Sequence, residues 1–270
     1  MRRSHFLRII RIITAVVILL PVIVTLIWSV TERWPWPALL PESYTSRTVN
    51  ELLFGSYNIL EILCSSIVLA VIVAVLATTI ALMTARATEI YEVRAKKAID
   101  MAAMLPLIVP GTAFAMGFQV TLIRLGLNDS IAGVVLVHIV AALPYCFLIM
   151  ADVTRAVGDK LEEQAAVLGA SNTRAFFDVS VPSLMPGIIT SASMAFILSY
   201  SQYFTTLLAG GGRIKTLALV LVPYIQSGDR ALSAVYSVVF VGSALIVFFV
   251  LEALLHREMK GRENNEVGDR

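Results

Sequence analysis

Long blocks of apolar residues dominate the chain, and short polar clusters separate them. The blocks are too long for strands, and several match the roughly 20 residues a helix needs to cross a hydrocarbon core of about 30 Å. Six blocks predict six spans: 12–30, 60–83, 99–123, 131–151, 185–209 and 231–255. Helices satisfy every backbone N–H and C=O within their own segment, which a lipid environment demands. The expected fold class is therefore an all-α membrane protein.

The intervening segments are modest. Residues 31–58 contain Pro35, Pro37 and Pro41 and predict an irregular stretch with an interfacial helix over 49–54. Gly210, Gly211 and Gly212 end the fifth span and open a loop that runs through Pro223. The polar end, 262–270, predicts a frayed tail. The organisation that follows is an anchor helix with an outer segment (1–58), a membrane core (59–255) and a polar tail (256–270). The first span follows Arg2, Arg3, Arg8 and Arg11, as a signal peptide would, but it is too long for a signal-peptide core. Val30-Thr31-Glu32-Arg33 offers no small-residue cleavage site, so the span reads as a retained anchor.

Composition agrees. The chain has 270 residues, 58% hydrophobic, with 15% charged against about 25% in soluble domains. Its mean hydropathy is +0.82. Where the charges lie says more than their sum. With the N-terminus inside, fifteen Lys and Arg fall on the inner side and six on the outer: Arg33, Arg47, Arg124, Arg213, Lys215 and Arg230. The positive-inside rule prefers this arrangement, with both termini cytoplasmic. Trp28, Trp34 and Trp36 cluster at the outer end of the first span, where interfacial aromatics belong. Cys64 and Cys146 fall inside apolar spans without metal-ligand spacing and read as small hydrophobes.

Small residues line one face of two spans. Ser66, Ala70, Ala74, Ala77, Ala81 and Ala85 form one stripe, and Gly187, Ser191, Ala195 and Ser199 form another. Such stripes let helix backbones approach, either within this bundle or against a second membrane subunit. Pro21, Pro106, Pro110 and Pro144 lie inside spans and bend them. Pro106 and Pro110, followed by Gly111, predict a kink or hinge in the third span.

Polar groups exclude several activities. Glu61, Asp100, Asp152 and Glu252 sit near span ends, whereas an ion-coupled transporter keeps ionisable groups at mid-depth. A secondary transporter is the alternative from another class, and uptake that persists without ATP would support it. Only His138 lies deep, with Gln119 as another polar candidate; His138 is either a hydrogen-bonded structural group or part of a pathway. Gly169-Ala170-Ser171-Asn172 looks like a nucleophile turn, but it lies far in depth from His138, which argues against a hydrolase. No G-x-x-x-x-G-K-[ST] phosphate loop occurs, so any ATP must be bound by another chain.

The polar loop 163–182 is the most informative stretch. Residues 159–168 read as a helix, Gly169 as its stop, and Ser171 or Asn172 as the cap of a second helix over 173–179. That helix carries Phe176 and Phe177 beside Arg174 and Asp178, and two aromatics on a polar loop predict a contact. Pro182 is expected to break it and Pro186 to open the fifth span.

This loop resembles the signature of the membrane subunits of ATP-binding-cassette importers: Glu-Ala-Ala, three residues, Gly, nine residues, Ile, any residue, Leu-Pro. Glu163, Gln164, Ala165, Gly169, Val179, Val181 and Pro182 fall at that spacing, with Gln164 for the first Ala and Val for both Ile and Leu. The six-span layout is similar to the type I importer permease core. The resemblance implies that residues 170–178, including Ala170, Ser171, Arg174, Phe176 and Phe177, form a coupling helix seated on an ATPase, with Gly169 setting its angle and Glu163 making a polar contact. It implies two ATPase subunits, a second permease chain (identical or homologous) and an external solute-binding protein as partners. It also implies a location in the inner membrane, no cofactor on this chain, no enzymatic activity of its own and no nucleic-acid partner. Trp-Pro-Trp-Pro after the first span, His138 with Pro144, and Ser-Gln-Tyr-Phe before Ala-Gly-Gly-Gly look most like the spermidine/putrescine branch, which shades into thiamine, ferric-iron and phosphonate permeases. Tyr200, Gln202 and Tyr203 are expected to line a pathway with Gln119 and His138, although a polyamine pathway would call for acidic groups and none lies at depth.

Overall fold

A computed structural model describes residues 2–55, 57–91 and 93–268; the side chains of 1–7, 9, 12, 251 and 254–270 lie outside the described residues, and with them most of the basic termini. The first elements are α1 (Arg2–Trp28), β1 (Thr31–Arg33), β2 (Ser43–Tyr44), α2 (Arg47–Phe54) and α3 (Ile59–Glu89). Then come α4 (Lys96–Ile108), α5 (Gly111–Arg124), α6 (Ile131–Val157), α7 (Lys160–Val167) and α8 (Asn172–Ala175). A π-helical turn, Phe176–Ser180, leads into α9 (Val181–Ser201), followed by α10 (Phe204–Gly210), α11 (Leu217–Ser227) and α12 (Arg230–Gly268). The helix α12 takes in most of the tail expected to fray; Asp269 and Arg270 lie outside the described residues.

Among the described residues, four helical stretches are long and apolar enough to cross a membrane: Ile59–Glu89, Ile131–Val157, Asn172–Ser201 and Arg230–Val250. The broken pair α4–α5 makes a fifth if it counts as one span, and Ile13–Trp28 is a shorter apolar helix. The protein is an all-α, multi-pass membrane protein.

The kink or hinge expected in the third span is a full break, at which α4 and α5 meet at 110°. Val109 precedes Pro110, and the proline ring disfavours the helical region for the residue before it. Both residues are extended, with ψ of 130° and 131°, so the helix stops and restarts.

Two compact units make up the chain: Met1–Cys64 with Leu217–Ser243, and Ser65–Thr216 with Ala244–Arg270. In the first, the proline-rich stretch forms an antiparallel pair, β1–β2, where an irregular segment was expected. The Glu42 amide donates to the Arg33 carbonyl at 3.0 Å and the Thr45 amide to the Val30 carbonyl at 2.8 Å, closing it. The expected interfacial helix is α2, whose buried Thr48 donates to the Ser29 carbonyl at 2.6 Å. The segment expected as a loop through Pro223 is instead the helix α11. Leu217, Ala218, Val220 and Leu221 are buried at helical spacing, and that burial overrides the proline.

In the second unit, α6 and α9 pack closely. A Cβ on Gly187 would lie 2.8 Å from Val153 Cγ1, so the two backbones approach as only glycine permits. Both small-residue stripes are buried within this chain: Ser66 through Ala85 on α3, and Gly187 through Ser199 on α9. Thr78 and Ser191 share a hydrogen bond at 3.2 Å. The stripes therefore serve packing inside the bundle rather than a second subunit.

Candidate functional site

The loop between α6 and α9 is built as its residues dictate. Gly158 ends α6 with φ of 67°. α7 carries Glu162 and Glu163 in its first turn, where the helix dipole favours acids. Gly169 then takes φ of 91°, a conformation that L side chains rarely adopt, and turns the chain. Ser171 caps α8, its Oγ accepting from the Arg174 amide at 3.4 Å. The amide of Gly169 bonds to the Ala166 carbonyl and that of Ala170 to the Ala165 carbonyl, which fixes the α7–α8 angle.

One expectation fails here. Pro182 does not break the helix, and Asn172–Ser201 runs as one stretch. The π turn explains it: the Val181 amide reaches five residues back to the Phe176 carbonyl. This widened turn shifts the bonding register just before Pro182, so the missing proline donor and its ring are accommodated.

The two aromatics divide. Phe176 is half-buried, with the Arg86 guanidinium 4.8 Å from its ring centre, whereas Phe177 is 61% exposed. Val167 and Leu168, at the end of α7, are 87% and 88% exposed. Glu163, Gln164, Gly169, Ser171 and Arg174 are also exposed, and Ala165, Ala170 and Pro182 are half-buried. The loop thus presents a mixed apolar and polar face among the described residues.

Sequence reasoning missed Arg86 and Glu162. Arg86 is 7% exposed, and one guanidinium nitrogen contacts both Glu162 carboxylate oxygens at 2.9 and 2.8 Å. Burial pushes the Glu162 carboxyl up, but hydrogen bonds from Arg86 and Ser180 and the Arg86 charge outweigh it and hold the carboxyl below its usual range. A cavity of about 530 Å³ adjoins the pair, lined by Arg86, Tyr91, Asp159, Glu163 and Phe176 among others. The signal that could have found Arg86 was a basic residue at the end of a stripe of buried small residues.

The expected pathway residues gather about the break between α9 and α10. Gln202 is extended and interrupts the helix. His138 is buried, with Nδ1 2.9 Å from Ser199 Oγ and Nε2 3.0 Å from Thr206 Oγ1. Thr206 donates its proton to the Gln202 carbonyl at 2.7 Å, so it accepts from Nε2–H, and Nδ1 accepts from Ser199. Gln119 donates to the Leu208 carbonyl at 3.1 Å. The Gln202 side chain accepts from Thr205 at 2.7 Å. Tyr200 is buried and stacks on Phe196 at 5.5 Å, while Tyr203 is half-buried. His138 is thereby a bolt across the helix break. His138→Leu removes the acceptor of the Ser199 hydroxyl, while Thr206 keeps its bond to the Gln202 carbonyl, and should destabilise the protein by about 1–3 kcal/mol, as one unsatisfied buried hydroxyl implies. A fall in thermal midpoint in detergent checks this, and an unchanged midpoint excludes the bolt.

No family model matches the chain. Curated relatives do. The chain is 32% identical over 184 residues to an ABC transporter permease protein, ORF1, of Streptomyces antibioticus, covering 67% of this chain and 79% of that one. It is 28% identical over 162 residues to the molybdate/tungstate transport system permease protein WtpB of Pyrococcus abyssi, covering 60% of this chain and 64% of that one. It is 22% identical over 209 residues to the spermidine/putrescine transport system permease protein PotC of Haemophilus influenzae, covering 77% and 80%.

Proposed function

The chain belongs to the ATP-binding-cassette transporter permeases, and from that premise we propose that it is the membrane subunit of an importer driven through its α6–α9 loop. The observation that carries this reading is the loop itself. Gly169 at φ 91°, the Ser171 cap and the exposed Phe177 hold a short helix outward at the motif's spacing. The permease core is 59–255, with both termini on the cytoplasmic side, where the loop meets two ATPase subunits. A second permease chain and an external solute-binding protein complete the assembly. ATP is hydrolysed by the partners, and this chain is not an enzyme.

The solute is a small oxyanion of the molybdate or tungstate kind rather than a polyamine. The hydrogen-bond partners of Gln119, His138 and Gln202 are hydroxyls and carbonyls, with no carboxylate among them. A polycation needs carboxylates, and none of Gln119, His138, Tyr200, Gln202 and Tyr203 carries one. The relative named for molybdate and tungstate also stands at higher identity than the one named for polyamines, 28% against 22%.

The test is uptake by the complex, purified with its ATPase and binding protein, in ATP-loaded proteoliposomes. Molybdate should accumulate with ATP and spermidine should not. Accumulation of spermidine restores the polyamine reading, and accumulation of either without ATP makes the protein a secondary transporter.

A further inference from the structure

Two ion-pair clusters form at the last turn of α3. Arg86 grips Glu162 on α7 and lies over Phe176 in the π turn, which joins α3 to the loop. Glu89, three residues on, has a side chain only 5% exposed and holds two cations from other helices: Lys96 at the start of α4, at 2.9 Å, and Arg155 near the end of α6, at 3.1 Å. α4 then leads through the Val109–Pro110 break into α5, whose Gln119 holds the Leu208 carbonyl of α10. A chain of charge-assisted contacts therefore runs from the loop through the end of α3 to the start of α4.

We propose that Arg86 and Glu89 are the positioning residues that pass loop displacement to the α4–α5 pair, so that the 110° break flexes when a motor moves the loop. The proposal rests on the reading of the loop as the motor contact. Three physical points support it. Arg86 and Glu162 are both shielded, so Arg86→Ala leaves the Glu162 charge poorly solvated, while Glu89→Gln removes the one carboxylate that ties Lys96 to Arg155. Glu162 is rigidly held, because two oxygens share one guanidinium nitrogen and Ser180 adds a third contact. The break between α4 and α5 has two extended residues and no helical bonds across it, so it is the compliant joint in this path.

The test uses the permease in complex with its ATPase in lipid nanodiscs, with nitroxide labels in a background lacking Cys64 and Cys146. One pair, at Leu161 and Leu148, reports the loop against α6; a second, at Met116 and Leu148, reports α5 against α6. All three label positions are exposed. Magnesium ATP with vanadate should shift both distances in the unmodified protein. In Glu89→Gln, which keeps the side-chain shape, the loop pair should still shift and the α5 pair should not. Arg86→Ala should behave alike, and Arg86→Glu with Glu162→Arg should restore the α5 shift. An α5 shift that survives both single substitutions overturns the proposal. A loop pair that never shifts in the unmodified protein overturns the motor-contact reading itself, and the proposal with it.

Discussion

Gly169→Asp and Phe177→Asp should each strip the ATPase from the permease during gentle purification while leaving the permease in the membrane. For Phe177 the reasoning is area. The residue is 61% exposed, and burying that share of a phenyl ring against a partner contributes about 1–2 kcal/mol, or roughly 5- to 30-fold in affinity. A carboxylate there loses that term and adds a charge to desolvate. For Gly169 the reasoning is backbone. No atom lies within 4 Å of an added Cβ, so space is not the obstacle; the φ of 91° is. A side chain in this region costs about 1–2 kcal/mol, enough to swing α8 away from the direction that the Ser171 cap sets. Gly169→Ala separates the terms, since it carries the strain without the charge. Phe176→Asp should act differently, because Phe176 faces Arg86 and not the open side; the new carboxylate competes with Glu162 inside the chain. Equal retention of the ATPase by Gly169→Asp, Phe177→Asp and the unmodified protein would remove the loop from the interface.

The loop was legible because its chemistry is local. A glycine stop, a serine cap and a leucine- and glutamate-rich helix each act within one turn, and α7, Gly169 and Ser171 stand where the residues placed them. The small-residue stripes were legible as faces but not as partners, since four-residue spacing says which side packs and not against what; their burial inside this chain supplies the answer. Pro182 was misread because a proline's effect depends on the bonding register before it, and a π turn cannot be seen in residue types. Pro106 and Pro110 gave the place of the α4–α5 break but not its 110°, which comes from two consecutive extended residues. Arg86 escaped notice because its partner lies 76 residues away. The same holds for His138, whose role depends on Ser199 and Thr206 folding back upon it from either side of the Gln202 break.

Gly187→Leu should be the most damaging single substitution in the α6–α9 pair. The first added carbon already falls 2.8–2.9 Å from three atoms of Val153, and a β-branched valine on a helix has little rotamer freedom with which to withdraw. The helices must therefore separate, and overpacking of this kind costs about 1–3 kcal/mol before the rest of the leucine is accommodated. Separation also threatens the Thr78–Ser191 bond one turn further along α9. The expected result is a lower yield of folded protein and a lower thermal midpoint in detergent. The molecules that do fold should still retain the ATPase, because the loop's outward face does not depend on this contact. Val153→Ala should restore only part of the loss: it removes both γ carbons, but its own Cβ remains 2.9 Å from the new side chain. Full stability in Gly187→Leu alone would mean that α6 and α9 stand further apart than the Gly187–Val153 approach requires.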